Sequence, residues 1–291
     1  MASTAEGSYY VPHGSYWPIL GSVALFVGLG GCAFLLNDGE SGLGLTMALL
    51  GLALLLVMLF GWLGDVVRES VAGKYSAQVD VSFRMGMVWF IFSEVMFFAA
   101  FFGALYYARH FSIPWLAGSG DGFLTNQLLW QNYTGGWPTN GPAELGGVYQ
   151  TIPAWGLPFL NTMILLTSGV TITLAHVALR KEQRGALIGW LAATVALGII
   201  FLFVQGYEYI HAYRDLGLTL GSGIYGSTFF MLTGFHGMHV TLGTIMLIVI
   251  LGRCIVGHFS RDQHFGFEAV AWYWHFVDVV WLGLFVFVYV L

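Results

Sequence analysis

Seven long apolar stretches dominate this chain and constrain its fold more than any other feature. Each has roughly the 20 residues that an α-helix needs to cross a ~30 Å hydrocarbon core. We expect spanning helices over Trp17–Leu36, Leu43–Leu63, Met85–Ala108, Leu157–Leu179, Ala186–Tyr207, Ile224–Leu251 and Ala269–Leu291. The sequence lacks the residue alternation of a transmembrane β-barrel. The predicted fold class is therefore all-α, a polytopic membrane protein with seven transmembrane helices.

The composition excludes several other classes of protein. Hydrophobic residues make up 57% of the 291 residues and charged residues only 9%, whereas soluble domains carry about 25% charged residues. The ten Lys and Arg residues are too few for a phosphate-binding surface, so we expect no nucleic-acid partner. The two cysteines, Cys32 and Cys254, exclude a disulfide framework and an iron–sulfur cluster held by this chain alone.

The basic residues are distributed unevenly between the two sides of the membrane. Eight of the ten fall in the connections after spans two, four and six: Arg68, Lys74, Arg84, Arg180, Lys181, Arg184, Arg253 and Arg261. Because positive charge is retained on the cytoplasmic side, we expect a cytoplasmic N-terminus and a periplasmic C-terminus in a bacterial inner membrane. The long connection over residues 110–156 then lies on the outer side, as a cap that is too irregular for a simple turn.

Small residues form a stripe along the first span. Gly21, Ala24, Gly28 and Gly31 recur at spacings of three or four. Such stripes let two helix backbones approach closely inside a membrane. We therefore expect this face of span one to pack against span two.

Glu94 lies midway along the third span. A carboxylate near the bilayer centre costs several kcal/mol unless it is protonated or paired. Two interpretations stay open at equal weight. Glu94 is either a group that exchanges protons or binds a lipid or helix, or a neutral acid that only fastens neighbouring helices.

His236 and His239 share one face of the sixth span, because their spacing is i, i+3. They form either half of a metal or haem site or a pair of hydrogen-bonding groups between helices. A metal site needs further ligands, and the sequence offers no second ligand pair at the expected spacing. We therefore predict helix pairing and no bound metal.

A polar and aromatic stripe runs along the seventh span. Glu268, Trp272, His275, Asp278 and Val279 recur at spacings of three or four. Three ionisable residues on one face of a spanning helix are expected to face protein rather than lipid. A proton relay is one interpretation, and the favoured one is a hydrogen-bonded contact between helices.

Charged and aromatic residues cluster where the second span meets the inner surface. Trp62 precedes Arg68 and Glu69, a composition typical of the headgroup level. The cluster is either a generic interfacial belt, which the sequence favours, or a phospholipid site. In the second case Arg68 holds the phosphate, with Arg253 or His258 as further contacts.

Three runs of sequence resemble subunit III of cytochrome c oxidase. They are residues 92–98 (FSEVMFF), residues 229–240 (FFMLTGFHGMHV) and residues 264–282 (HFGFEAVAWYWHFVDVVWL). Shorter similar pieces follow at Trp17-Pro18, at residues 65–70 and at residues 157–162. The resemblance extends over essentially the whole chain.

This resemblance implies a detailed architecture. The family's helices form two bundles, helices 1–2 and helices 3–7, separated by a V-shaped cleft that holds phospholipids. Applied to this chain, the bundles are residues 1–70 and 71–291. The resemblance also implies that Glu94 matches a carbodiimide-reactive membrane glutamate. Trp62, Arg68, Glu69, Arg253 and His258 match positions that line the lipid cleft.

The resemblance further implies a function without redox chemistry in this chain. Haem and copper are expected in partner subunits, and this chain is expected to bind only structural phospholipids. The implied partners are oxidase subunits I and II, with a small subunit IV. The implied role is to stabilise catalytic subunit I and to support its proton uptake and oxygen access. It also makes the chain a non-catalytic part of a proton-pumping translocase in aerobic electron transport.

Two alternative functions share parts of this pattern. A quinol-oxidase subunit III is the closer one, but such relatives usually lack the first two helices, which this chain has. A proton-coupled transporter that uses Glu94 and the acids of span seven is the other. It would be expected to contain broken helices in paired positions, and the sequence has none.

Overall fold

The computed structural model describes residues 10–11, 14–37 and 42–291. Its long helices are α1 (Trp17–Asn37), α2 (Gly42–Val71), α3 (Ala77–Tyr107), α4 (Leu157–Arg180), α5 (Arg184–Arg214), α6 (Gly223–Val256) and α7 (Phe265–Leu284). All seven are long and apolar enough to cross a membrane. No strand occurs among the described residues. The prediction of an all-α fold with seven transmembrane helices is confirmed.

Several helices are longer than the apolar stretches that predicted them. Helix α2 continues past Leu63 to Val71, and α5 continues past Tyr207 to Arg214. Helix α3 passes through a π-helical turn, Ala108–Ser112, into a short helix, Ile113–Leu116. An apolar stretch marks only the part of a helix that lies in hydrocarbon, whereas backbone hydrogen bonding carries the helix into the polar region.

Local sequence explains where some of these helices begin and end. Helix α4 has Pro158 in its first turn. Proline lacks a backbone N–H, and at this position it costs no hydrogen bond, because the first N–H groups of a helix have no partner within the helix. Helix α6 ends at Gly257, whose φ of 87° is the left-handed conformation that glycine adopts without strain. The N–H groups of Gly257 and His258 both donate to the carbonyl of Arg253, which satisfies the end of the helix.

The described residues up to Met85 form one of the two compact units of the chain. Within the unit, α1 and α2 approach so closely that a Cβ atom added at Gly51 would lie 2.3 Å from the Cα atom of Gly28. A Cβ atom at Gly31 would lie 2.3 Å from the backbone nitrogen of Ala48. The predicted packing of the small-residue stripe against span two is confirmed.

Residues 86–291 form the other compact unit. Its core is aromatic, with Phe201, Phe229, Phe267, Trp274 and Trp281 among the largest fully buried side chains. The boundary between the units falls inside α3. The predicted division into residues 1–70 and 71–291 assigns all of α3 to the second bundle, and it stays a prediction.

The segment between α3 and α4 is irregular, with a short helix at Phe123–Leu129. The Asn126 side chain organises it, since its Nδ2 atom lies 2.9–3.0 Å from the carbonyl oxygens of Leu116, Trp130 and Tyr133. The backbone N–H of Gln150 donates to the carbonyl of Leu216 at 2.9 Å. The segment is therefore tied both to itself and to the turn that follows α5.

Candidate functional site

The membrane carboxyl group of Glu94 on α3 is paired with His239 on α6. Glu94 Oε2 lies 2.9 Å from His239 Nε2. The Glu94 side chain is 22% exposed and that of His239 is 6% exposed. The structure thus brings together two residues that were singled out separately in the sequence.

The geometry of His239 determines how many protons this pair holds. The other ring nitrogen, Nδ1, lies 2.6 Å from the carbonyl oxygen of Phe235. Because a carbonyl oxygen only accepts, Nδ1 must carry a hydrogen and donate it. The remaining nitrogen then either accepts the proton of a neutral Glu94 or donates its own proton to a carboxylate. In both cases one proton lies between the two residues and the pair is neutral overall.

Aromatic rings surround this pair. The rings of Phe97, Phe98, Tyr273 and Phe276 have centroids 5.0–6.4 Å from that of His239. Tyr273 also donates its hydroxyl to the His239 carbonyl, at 3.4 Å. Such an apolar shell strengthens a hydrogen bond inside it and raises the cost of breaking it.

His236 joins α6 to α7. Its Nε2–H donates to the backbone carbonyl of Val277 at 3.1 Å, and the residue is fully buried. The imidazole lies against the rings of Phe201 and Trp281, whose centroids are 5.7 and 5.1 Å away. Across the part of the chain that is described, neither His236 nor His239 belongs to a group of three metal-ligand side chains.

The polar stripe of α7 faces α4 over only part of its length. Asp278 is buried, and its Oδ2 atom lies 3.6 Å from His275 Nδ1. His275 is 45% exposed, and its Nε2 atom lies 3.3 Å from the hydroxyl of Thr173. Val279 is 67% exposed and does not share the buried face. A residue next to Asp278 is turned by about 100° on a helix, which places it on another face.

Two tryptophans extend the contact between α7 and α4. The indole N–H of Trp274 donates to the Ser168 hydroxyl, and that of Trp281 donates to the Thr162 hydroxyl, both at 2.9 Å. Gly169 makes room for Asp278, because a Cβ atom at this glycine would lie 2.4 Å from Asp278 Oδ2. The sequence did not single out these contacts.

Glu208 is a buried acid that the sequence analysis missed. It is fully buried on α5 and accepts hydrogen bonds from Tyr289 at 2.6 Å and from Gln205 at 3.3 Å. The apolar stretch ended at Tyr207, so Glu208 was left in a connection. The signal that could have found it is its place in a run of tyrosines, Tyr207-Glu-Tyr, where a helix could continue.

At the end of α2, polar side chains bond to one another within the first unit. Asp65 accepts a hydrogen bond from the Trp17 indole at 2.7 Å and pairs with Arg68. The Arg68 side chain is nonetheless 76% exposed. Trp62 is half exposed and lies six residues before Arg68.

Glu69 lies between two tyrosines at the same end of α2. Its oxygens accept hydrogen bonds from Tyr10 at 2.8 Å and from Tyr75 at 2.9 Å. The bond to Glu69 raises the pKa of Tyr10, and burial together with this bond raises the pKa of Tyr75. Both tyrosines therefore stay neutral donors, and they hold the chain before α1 and the turn after α2 against Glu69.

Arg253 and His258 lie at the end of α6, in the second unit. The guanidinium of Arg253 stacks over the ring of Phe259, with 4.3 Å between its central carbon and the ring centroid. His258 is exposed and follows the left-handed Gly257.

A separate group, His176, His264 and Glu268, brings three metal-ligand side chains together at the adjoining ends of α4 and α7.

The fold and these contacts define a class: multi-pass helical membrane proteins whose polar groups inside the spans join helix to helix. The sequence model of the family described as "Cytochrome c oxidase subunit III" matches residues 7–116 and 134–291 of the chain. The chain belongs to the cytochrome c oxidase subunit III family. The residues between the two matched ranges lie in the segment between α3 and α4.

Individual relatives agree with this assignment. A protein named "Cytochrome c oxidase subunit 3" from Marchantia polymorpha is 41% identical over 296 residues, covering 99% of this chain and 98% of its own. Proteins of the same name from Gadus morhua and Danio rerio are 40% and 39% identical. The match to Gadus morhua covers 97% of this chain and 96% of the relative, and that to Danio rerio covers 99% and 98%.

Proposed function

We propose that this chain is a non-redox core subunit of a respiratory cytochrome c oxidase, where it stabilises the catalytic subunit during turnover. The observation that carries the proposal is the pairing of polar side chains across helices, above all Glu94 with His239. Such pairs are typical of a rigid scaffold, because each polar group is hydrogen-bonded to another helix and is not available to bind a substrate.

The proposed partners are subunits I and II, with a small subunit IV. In this assembly the haem and copper groups belong to the partners, and this chain supports proton uptake and oxygen access to subunit I. The proposed location is a bacterial inner membrane, with the N-terminus in the cytoplasm and the C-terminus in the periplasm. The uneven distribution of basic residues supports this orientation.

Structural phospholipids are the proposed ligands. The exposed guanidinium of Arg68 and the indole of Trp62 offer a phosphate contact and an interfacial ring. Glu69 contributes by fixing Tyr10 and Tyr75 beside the end of α2. Arg253 and His258 are proposed as contacts to lipid at the end of α6.

Two alternatives compete with this function. A quinol oxidase would use the same kind of subunit, and the presence of both α1 and α2 favours the cytochrome c branch. A proton-coupled transporter would be expected to have spanning helices that are interrupted near the bilayer midplane. Each of the seven long helices instead runs unbroken between its bounds.

Purification through an affinity tag on this chain tests the proposal. We expect a larger partner and haem absorbance to copurify with the tagged chain. Oxidase from which this chain has been removed should lose activity sooner during turnover than the intact complex. A tagged chain that purifies without haem or a partner, or an oxidase with equal lifetime in its absence, would refute the proposal. Oxidation of reduced cytochrome c, compared with that of quinol, distinguishes the two branches.

A further inference from the structure

Three metal-ligand side chains converge where the end of α4 meets the start of α7. His176 lies in the last turns of α4, His264 directly precedes α7, and Glu268 lies in the first turn of α7. His264 Nε2 is 3.2 Å from Glu268 Oε1 and 3.2 Å from His176 Nε2. The third side of this triangle, His176 Nε2 to Glu268 Oε1, is 3.6 Å.

The size of this triangle matches a metal centre. Zinc binds imidazole nitrogen and carboxylate oxygen at about 2.0–2.2 Å in tetrahedral geometry, which places neighbouring ligand atoms about 3.3–3.6 Å apart. A cation at the centre of the His176, His264 and Glu268 atoms would therefore need only small movements of the side chains. We propose that these three residues form a binding site for a divalent transition-metal ion of the zinc type.

The tautomer of His264 supports the proposal. Its Nδ1 atom lies 3.1 Å from the carbonyl oxygen of Ser260, to which it donates a hydrogen. In the neutral imidazole, the lone pair is then on Nε2, the atom that lies 3.2 Å from both His176 Nε2 and Glu268 Oε1. Metal-binding histidines are oriented in the same way, by a hydrogen bond from the nitrogen that does not bind the metal.

The close contacts within the group also require a hydrogen shared among the three side chains. Two imidazole nitrogens and a carboxylate oxygen all act as acceptors when they are unprotonated. At separations of 3.2–3.6 Å, at least one proton must lie among them. A metal ion would replace this proton and use all three lone pairs at once.

The ligand types indicate which ion binds. Two imidazoles and one carboxylate suit zinc and its transition-metal neighbours, whereas calcium and magnesium prefer oxygen ligands only. The side chains of His176, Glu268 and His264 are 29%, 16% and 9% exposed, so the site is sheltered but can be reached from its surface. Three protein ligands leave a fourth position for water.

The site would hold α4 against α7, and it does not depend on the proposed lipid-binding and scaffolding role. The proposed metal site differs from the prediction, made from the sequence, that this chain binds no metal. His176 and His264 are 88 residues apart, so spacing alone could not reveal that they meet.

Zinc binding to the full chain in its purified assembly tests the proposal. The assembly is treated with a chelator and titrated with Zn²⁺ against a coloured competitor, and bound zinc is counted by mass spectrometry of the metal. Wild type should retain about one zinc ion more per chain than His264→Ala. Glu268→Gln, which keeps the size of the side chain, should weaken binding by at least about 10-fold.

His211→Ala is the matched control, because His211 pairs with Asp215 at the end of α5 and lies outside the group. It should bind zinc as wild type does. Equal zinc content in wild type, His264→Ala and Glu268→Gln would overturn the proposal. If the variants do not assemble, X-ray absorption spectroscopy of zinc-loaded wild type and His211→Ala identifies the ligands of the bound zinc. Both proteins should show two imidazole ligands. Zinc without two imidazole ligands would also overturn it.

Discussion

A charged carboxylate alone in hydrocarbon costs several kcal/mol, and Glu94 avoids this cost through its bond to His239. The Phe235 carbonyl fixes the tautomer of His239. As a result, the pair needs one proton and carries no net charge. The same arrangement explains why a neutral amide could replace the acid: an amide N–H can donate to His239 Nε2 as a protonated carboxyl group does.

We expect Glu94→Gln to keep near-normal proton pumping and Glu94→Leu to shorten the turnover lifetime of the oxidase. The glutamine retains the donor, whereas the leucine leaves His239 Nε2 without a partner. An unsatisfied buried group costs about 1–3 kcal/mol. Proton-to-electron ratios in vesicles and the decay of activity during turnover measure the two effects.

His239→Ala is a companion variant, since it removes the other half of the same bond. It should shorten the lifetime as Glu94→Leu does. A Glu94→Gln enzyme that is intact and loaded with lipid but does not pump would contradict the fastening role. Glu94 would then be a proton-relaying group.

Arg68→Ala should reduce the phospholipid that stays bound to the purified complex and should shorten its lifetime. The exposed guanidinium is the group that can form charge-assisted hydrogen bonds to a phosphate. Native mass spectrometry measures the retained lipid. Arg261→Ala is the control, because it removes the same charge from the connection between α6 and α7 and should leave lipid content unchanged. Equal lipid in Arg68→Ala and wild type would count against this site.

At the scale of elements, α1 and α2 show how helices associate without a hydrophobic driving force. Lipid tails are as apolar as leucine, so close packing of backbones must supply the attraction. Gly51 and Gly28 provide this closeness, because neither has a side chain between the two helices. The contact depends on both helices keeping the register that aligns these glycines.

Gly51→Ala should destabilise the packing of α1 on α2. Its new Cβ atom would lie 2.3 Å from backbone atoms of Gly28, so the helices would have to separate. Overpacking of this kind typically costs about 1–3 kcal/mol. The thermal midpoint of the purified complex and the protease resistance of α1 measure the change.

Gly64→Ala is the matched control in the same helix, since nothing lies within 4 Å of its added Cβ atom. It should be neutral or slightly stabilising, because alanine favours a helix by about 1 kcal/mol over glycine. If both variants were equally stable, the contact between α1 and α2 would not depend on close backbone approach.

At the scale of the whole molecule, seven helices that each cross the membrane would place the segments before α1 and after α7 on opposite sides. Eight basic residues lie in the second, fourth and sixth connections or in the helix ends that flank them, and they favour a cytoplasmic location for those connections. In the described residues the chain has two free cysteines, Cys32 and Cys254. Replacing both with serine gives a background in which single cysteines report the orientation.

In this background, a membrane-impermeant maleimide applied to spheroplasts should label Thr134→Cys and not Arg261→Cys. Thr134 is exposed in the segment between α3 and α4, and Arg261 is exposed between α6 and α7. Permeabilised cells should show labelling of both. The opposite pattern in intact spheroplasts would reverse the proposed orientation.

The sequence by itself determined the number of spans, the all-α class and the face of α1 that packs on α2. The physical reason is that these properties depend on local patterns. A helix in hydrocarbon must satisfy its own backbone, so length and apolarity are sufficient to identify it. Short continuous runs of sequence also indicated the resemblance to subunit III of cytochrome c oxidase. The matches to the family and to relatives over nearly the whole chain confirm this resemblance.

Only the tertiary structure decided which polar groups meet. Glu94 and His239 are 145 residues apart, and His176 and His264 are 88 apart. Glu208 lay beyond an apolar stretch and was not expected to be buried. Periodicity identifies the face of a helix but not the helix that covers it, because that choice depends on how whole helices pack. The tautomer of His239 likewise depends on a contact that no spacing encodes.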